Sequence, residues 1–188
     1  MYEVIDDFLP RPYFDEIQNL LESNHFPWYY KKNISYPSYK DADLSNFGFD
    51  NFAIQDNGMK NNSELALMLT GFLGQLLQVT GMSKVSRCRA DLTLYSSEKY
   101  LHAPHVDLWE DHVSCVFYVT NSDAETVLFE EKCYSHEQYV SMDLSDLTIK
   151  TKITPKENRL LFFDGHLLHT GHSPSEYRHR ILINTNLV

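Results

Sequence analysis

The chain has 188 residues, 43% apolar and 22% charged, which suits one domain with a sizeable core and argues against a disordered chain. Its net charge of −10 excludes a broad phosphate-binding footprint, which takes clustered Lys and Arg, so nucleic acid is not an expected partner; Lys31-Lys32 and Arg87/Arg89 alone offer a local basic groove. Cys88, Cys115 and Cys133 show no CxxC spacing, no secretory h-region follows Met1, and the apolar stretch Leu65–Val79 is too short and too interrupted to span a bilayer, so the expectation is a cytoplasmic protein with reduced thiols and no membrane segment.

Met1–Leu9 reads as a short strand and turn. Pro10 and Pro12 then open a helix over Tyr13–Ser23, with Phe14, Ile17, Leu20 and Leu21 on one face. Residues 31–60 are polar and aromatic without a sustained period, the pattern of a substrate loop or of hidden short strands. Substrate choice is expected in residues 29–60 and 96–104, and Tyr29, Tyr30, Tyr36 and Tyr39 with Trp28 supply either an aromatic wall for a substrate or packing against the domain. Ser63 is placed to cap a second helix that buries Leu65, Met68, Leu69, Phe72, Leu73, Leu76 and Leu77 and stops at Gly81.

From Val85 the period changes to two. Cys88, Ala90, Leu92 and Leu94 alternate with Arg87, Arg89, Asp91, Thr93 and Tyr95, which gives one face to the helices and a polar face suited to the inside of a ligand-binding barrel. Further strands are expected at Val113–Thr120, Thr126–Phe129, Thr148–Ile153, Arg159–Phe163 and Arg180–Leu187. Tyr and Phe favour strands and raise the aromatic content to 13%. The expectation is an α+β, mostly β, single domain over 1–188. Residues 1–84 form a helical buttress with the substrate loop, and 85–188 form a jelly-roll core.

His105-Val106-Asp107 places an imidazole and a carboxylate on one face of a strand. About sixty residues later comes Asp164-Gly165-His166-Leu167-Leu168-His169. Two His and one carboxylate can hold one face of a ferrous ion and leave three positions for small ligands. His166 and His169 both qualify as the second imidazole, with His172 a weaker third.

These segments resemble the prolyl-4-hydroxylase-like branch of the Fe(II)/2-oxoglutarate-dependent dioxygenases. The resemblance rests on Leu94-Tyr95 leading to His105-Val106-Asp107-Leu108-Trp109, on Asn158 to Gly165 followed by His169-Thr170-Gly171-His172, and on Arg180-Ile181-Leu182-Ile183-Asn184-Thr185-Asn186. It covers the last hundred residues or so well and the opening Ile5-Asp6-Asp7-Phe8-Leu9-Pro10 loosely. It implies a double-stranded β-helix that binds Fe(II), 2-oxoglutarate and O2, with ascorbate as an optional reductant. Carried over residue by residue, His105, Asp107 and His169 hold the metal, and Arg180 pairs with the distal carboxylate of 2-oxoglutarate. Arg178, of the same parity, is the alternative anchor, and Tyr95 a further donor. Asp107 points to a hydroxylase rather than a halogenase, in which that carboxylate is replaced. The chain departs from the family pattern at Ser96-Ser97-Glu98-Lys99 and at Asp123-Ala124-Glu125-Thr126. The implied substrate is a small molecule or a peptide. The competing reading is a cupin-like metal-binding barrel without oxygenase turnover, and a buried Arg180 beside the metal separates the two.

Overall fold

The period-two pattern builds two antiparallel sheets in the computed structural model, which describes residues 1–34, 46–55 and 64–188. In chain order the elements are β1 (Tyr2–Ile5), α1 (Arg11–Glu22), β2 (Tyr29–Lys31), β3 (Gly48–Ile54), α2 (Glu64–Met68), α3 (Thr70–Thr80), β4 (Val85–Leu94), β5 (Val113–Tyr118), β6 (Thr126–Lys132), α4 (His136–Ser141), β7 (Ile149–Ile153), β8 (Arg159–Asp164), β9 (Leu167–Gly171) and β10 (His179–Leu187). The larger sheet runs β1-β8-β5-β10-β4-β3-β2 and the smaller β7-β6-β9. From β4 onward the chain passes back and forth between the sheets, with β4 and β5 in the larger, β6 and β7 in the smaller, then β8 in the larger, β9 in the smaller and β10 in the larger, so that the pair forms a double-stranded β-helix, the expected jelly roll.

Alternation decides what each face of the large sheet meets. Cys88 and Ala90 on β4, Cys115 and Phe117 on β5, and Ile181 and Ile183 on β10 turn outward. There they join Phe14, Ile17 and Leu21 of α1 and Phe72, Leu73 and Leu76 of α3 in one apolar cluster. The rings of Phe72 and Phe117 stand 4.9 Å apart at its centre. Each buried Phe, Leu or Ile side chain there contributes about 1.5–3 kcal/mol by leaving water. The opposite face carries Val116, Tyr118 and Leu182, which meet Leu128, Phe163 and Leu167 inside the barrel. A slip of one residue in any of these strands would send its polar side chains into the helical core.

Most predicted elements appear with shifted ends. The first helix begins at Arg11, two residues before its predicted start. The second is divided at Leu69 into α2 and α3, and Gly81 stops it in the left-handed region at φ 70°. Its proposed cap Ser63 lies outside the described residues, as do Tyr36 and Tyr39. The aperiodic segment hides β2 and β3, the latter with Asp50, Asn51, Ala53 and Ile54 buried. Tyr29 and Tyr30 are exposed on β2, while Trp28 packs edge-on to Phe26 with ring centroids at 4.8 Å. β9 and α4 were not anticipated. Among the described residues no helix is long and apolar enough to cross a membrane.

Asn158 ties the N-terminal segment to the barrel. It is buried, adopts a positive φ of 60°, accepts from the Leu9 amide (2.9 Å) and donates to the Leu9 carbonyl (2.8 Å). Asn tolerates that backbone better than most residues. Truncating it leaves buried backbone groups unpaired, at about 1–3 kcal/mol. Asn158→Ala is therefore expected to lower the stability measured by urea unfolding by that amount, and an unchanged midpoint would refute the assignment.

Candidate metal centre and ligand pocket

A reciprocal backbone pair sets the geometry of the centre. The His105 amide donates to the His169 carbonyl (2.9 Å), and the His169 amide to the His105 carbonyl (3.0 Å). That isolated bridge, rather than a regular strand, holds residues 105–107 against β9. It brings the two imidazoles to 4.6 Å between ring centroids. Each ring's Nδ1 faces a backbone carbonyl two residues earlier, Ala103 for His105 (3.0 Å) and Leu167 for His169 (3.1 Å). A carbonyl only accepts, so Nδ1 carries the proton and each Nε2 keeps its lone pair for a ligand. Burial and the neighbouring His169 push His105 down to about 4, so it is neutral near pH 7.

Asp107 completes the group, and one ligand atom from each of the three residues lies within 4.8 Å of the others. Its side chain is 4% exposed and fully engaged. Arg87 Nη2 donates to Oδ1 (2.6 Å), while the Ser114 hydroxyl and Asn186 Nδ2 each donate to Oδ2 (3.0 Å). Burial alone would raise this carboxyl. The charge of Arg87 and the contact with His169 outweigh it, and the group stays ionised well below the usual carboxylate range. His169 Nε2 sits 3.5 Å from Asp107 Oδ2 and is buried without a hydrogen-bond partner. A buried lone pair with no donor beside a carboxylate and a second lone pair fits a divalent metal.

The competing imidazoles are otherwise occupied. His166 lies between the Cys133 carbonyl (3.3 Å) and Asp111 (3.0 Å), and His172 faces the Glu125 carbonyl. Trp109 packs beside Tyr139 on the apolar cluster of Val106, Val127, Phe129 and Leu168.

A cavity runs from Arg180 past His105 and His169 to Arg89, Asp91 and Asp50. Arg180 is 7% exposed, and its Nη1 donates to the Ala124 carbonyl (2.8 Å). Its Nε is buried with no partner. The guanidinium lies against Gly171, where an added Cβ would fall 2.8 Å from both Nη atoms. Tyr118, wholly buried, donates to the Thr126 hydroxyl (2.7 Å), and burial pushes its phenol up to about 12. Arg180 and Tyr118 interact electrostatically, so one buried cation and two hydroxyls stand at that end of the cavity. The departing turn Asp123-Ala124-Glu125-Thr126 supplies both the carbonyl and one hydroxyl.

The structure does not bring Arg178 or Tyr95 to the cavity. Pairing of β10 with β4 ends at His179 and Leu94; both residues lie just beyond, exposed, joined only by the Tyr95 amide and the Arg178 carbonyl. Parity assigned them a side, but the strands stop first. Sequence reasoning missed Ser114 and Tyr118, although both share inward parity with Val116. It also offered Arg87 and Arg89 as a basic groove; each instead meets a carboxylate, Asp107 and Asp91, as Lys31 meets Asp50.

No family model matches the sequence, and no curated protein matches it. Solved structures match the fold. The non-heme alpha-ketoglutarate-dependent epimerase SnoN from nogalamycin biosynthesis superposes with a TM-score of 0.65 at 10% identity, over 100% of this chain and 77% of that one. A Pseudomonas putida prolyl-4-hydroxylase gives 0.62 at 13% identity, over 99% and 91%. A Trichoplax adhaerens prolyl hydroxylase, in complex with a hypoxia-inducible-factor peptide fragment, gives 0.61 at 14% identity, over 99% and 82%. The chain thus has the fold of the 2-oxoglutarate- and Fe(II)-dependent oxygenases, prolyl-4-hydroxylases included.

Calorimetric titration with Co(II) checks the ligand set. His169→Ala is expected to weaken binding by more than the ~10–100-fold typical of losing an outer partner. His166→Ala is expected to bind as the parent does, and the reverse order would move the centre to His166.

Proposed function

We propose that this protein is an Fe(II)- and 2-oxoglutarate-dependent oxygenase that hydroxylates a C–H bond of a small molecule or peptide. The supporting observation is Arg180: a buried guanidinium with one carbonyl partner and an orphaned Nε, on the cavity lined by His105 and His169, whose ligand atoms lie within 4.8 Å of that of Asp107. A buried cation calls for an anion, and a planar guanidinium suits a carboxylate. A metal-binding barrel without turnover accounts for the three ligands and leaves Arg180 unexplained.

When bound, iron with 2-oxoglutarate and O2 supplies the oxidation, in which the 2-oxo acid is split to succinate and CO2 while a C–H bond is hydroxylated. The chain's own residues do simpler things. His105, Asp107 and His169 hold the metal through two neutral nitrogens and one anionic oxygen. Arg87, Ser114 and Asn186 fix the carboxylate so that it does not rotate away. Arg180, with the hydroxyls of Tyr118 and Thr126 near it, receives the distal carboxylate of 2-oxoglutarate, and Gly171 leaves room for the guanidinium. Val116 and Leu182 line the same cavity and exclude water. The scheme asks no side chain to act as a general base. Cys88, Cys115 and Cys133 are free and buried, which fits a reducing, cytoplasmic setting.

Succinate formed from 2-oxoglutarate in air by the Fe(II)-loaded protein, followed by NMR, is the test. Slow formation is expected in the parent and none in Asp107→Ala. In Gly171→Ala the KM for 2-oxoglutarate is expected to rise about tenfold or more, the equivalent of ~1.4 kcal/mol. A parent that binds iron and forms no succinate contradicts the assignment.

A further inference from the structure

The cavity continues beyond the metal and Arg180 into a second polar region that the proposed chemistry does not use. Asp91 on β4 and Asp50 on β3 stand directly opposite each other in the register and both line the cavity. Directly opposed side chains on neighbouring strands are separated by about 4.5–5.5 Å at Cβ, and like charges there repel. Two cations meet this pair, Arg89 and Lys31. Arg89, two residues along on β4, places Nε 2.6 Å from Asp91 Oδ1, and its Nη2 donates to Oδ2 (3.1 Å). Lys31, on β2 beyond the far side of β3, places Nζ 3.0 Å from Asp50 Oδ2. Arg89 and Lys31 both lean over the Phe52 ring, and Arg89 acts on Asp50 as well as on Asp91, so two opposed carboxylates share two cations at this end of the cavity.

Two further observations point to a ligand. Asp50, 7% exposed, keeps Oδ2 without a hydrogen-bond partner of good geometry, Lys31 notwithstanding. Asn184, also 7% exposed and lining the same cavity, leaves its Oδ1 unpartnered. These two oxygens accept, while Arg89 Nε and Arg180 Nε on the same cavity are donors without a partner of good geometry. The two flanking cations also differ. Arg89 is buried, gripped by Asp91 and laid over the Phe52 ring at 5.5 Å, whereas the Lys31 side chain is 40% exposed and can swing off Asp50.

We infer that the substrate is a free amino acid, its ammonium seated between Asp50 and Asp91 and its carboxylate taken by Lys31. This rests on the oxygenase reading and narrows it. A prolyl residue inside a peptide carries no ammonium to offer, and a purely anionic metabolite would meet two carboxylates. Burial raises Asp91 despite the charge and hydrogen bond of Arg89, and Asp50 adds to the rise.

The test is a thermal-shift series on protein loaded with Co(II) and 2-oxoglutarate, using the twenty free L-amino acids, each beside its N-acetyl derivative and its methyl ester. At least one free amino acid is expected to raise the melting temperature by several degrees, and both of its blocked forms to lose the shift. Asp50→Asn and Asp91→Asn are expected to weaken that amino acid tenfold or more while keeping the shift given by 2-oxoglutarate, which shows that they fold. An N-acetyl form as effective as its parent, or twenty amino acids without effect where 2-oxoglutarate does stabilise, overturns the inference and leaves the oxygenase assignment standing. Absence of any shift from 2-oxoglutarate itself overturns both.

Discussion

The Asp107 carboxylate is buried and ionised, and a buried charge must be surrounded. Its neighbours come from three strands of the large sheet: Arg87 from β4, Ser114 from β5 and Asn186 from β10. These residues lie on the same rung, since Asn186 pairs with both Arg87 and Ser114 in the register. The segment that carries Asp107 is not a regular strand, so its position depends on this rung on one side and on the His105–His169 bridge on the other. Loss of the rung would leave a charged group buried without partners, far more costly than the loss of one neutral hydrogen bond.

Register therefore links stability to chemistry. The parity that sends Cys88, Cys115 and Thr185 toward the helices sends Arg87, Ser114 and Asn186 toward Asp107. The same parity continued along β10 delivers Asn184, Leu182 and Arg180 to the cavity. α1 and α3 touch no ligand atom, yet the apolar cluster beneath them fixes which face of each strand looks inward. A cavity mutation in that cluster would reach the site through the strands.

Much of this was legible in the residues. The alternation in β4 and β10 announced a polar inner face, and HxD with a distant His announced the centre. Other features depended on facts that no local pattern encodes. His169 lies within β9 and bridges to His105 while His166 falls just before the strand, a matter of pairing between segments. Tyr95 and Arg178 had the right parity but lie past the last paired rung, while Tyr118, within β5, donates to Thr126 on the cavity wall. β2 and β3 are masked in sequence by Asn, Asp and Tyr because β3 buries polar residues, Asp50 and Asn51, along with apolar ones. That breaks the simple alternation of a half-buried strand.

The central claim is that metal and 2-oxoglutarate share one cavity, with Arg180 at the far carboxylate. Anaerobic addition of 2-oxoglutarate to the Fe(II)-loaded protein, followed through the visible metal-to-ligand charge-transfer band, tests it most directly. The account predicts a band in the parent that saturates with one equivalent of iron, and a markedly higher 2-oxoglutarate concentration for half-saturation in Arg180→Gln. Iron that binds without producing a band, or a band indifferent to Arg180, would contradict it.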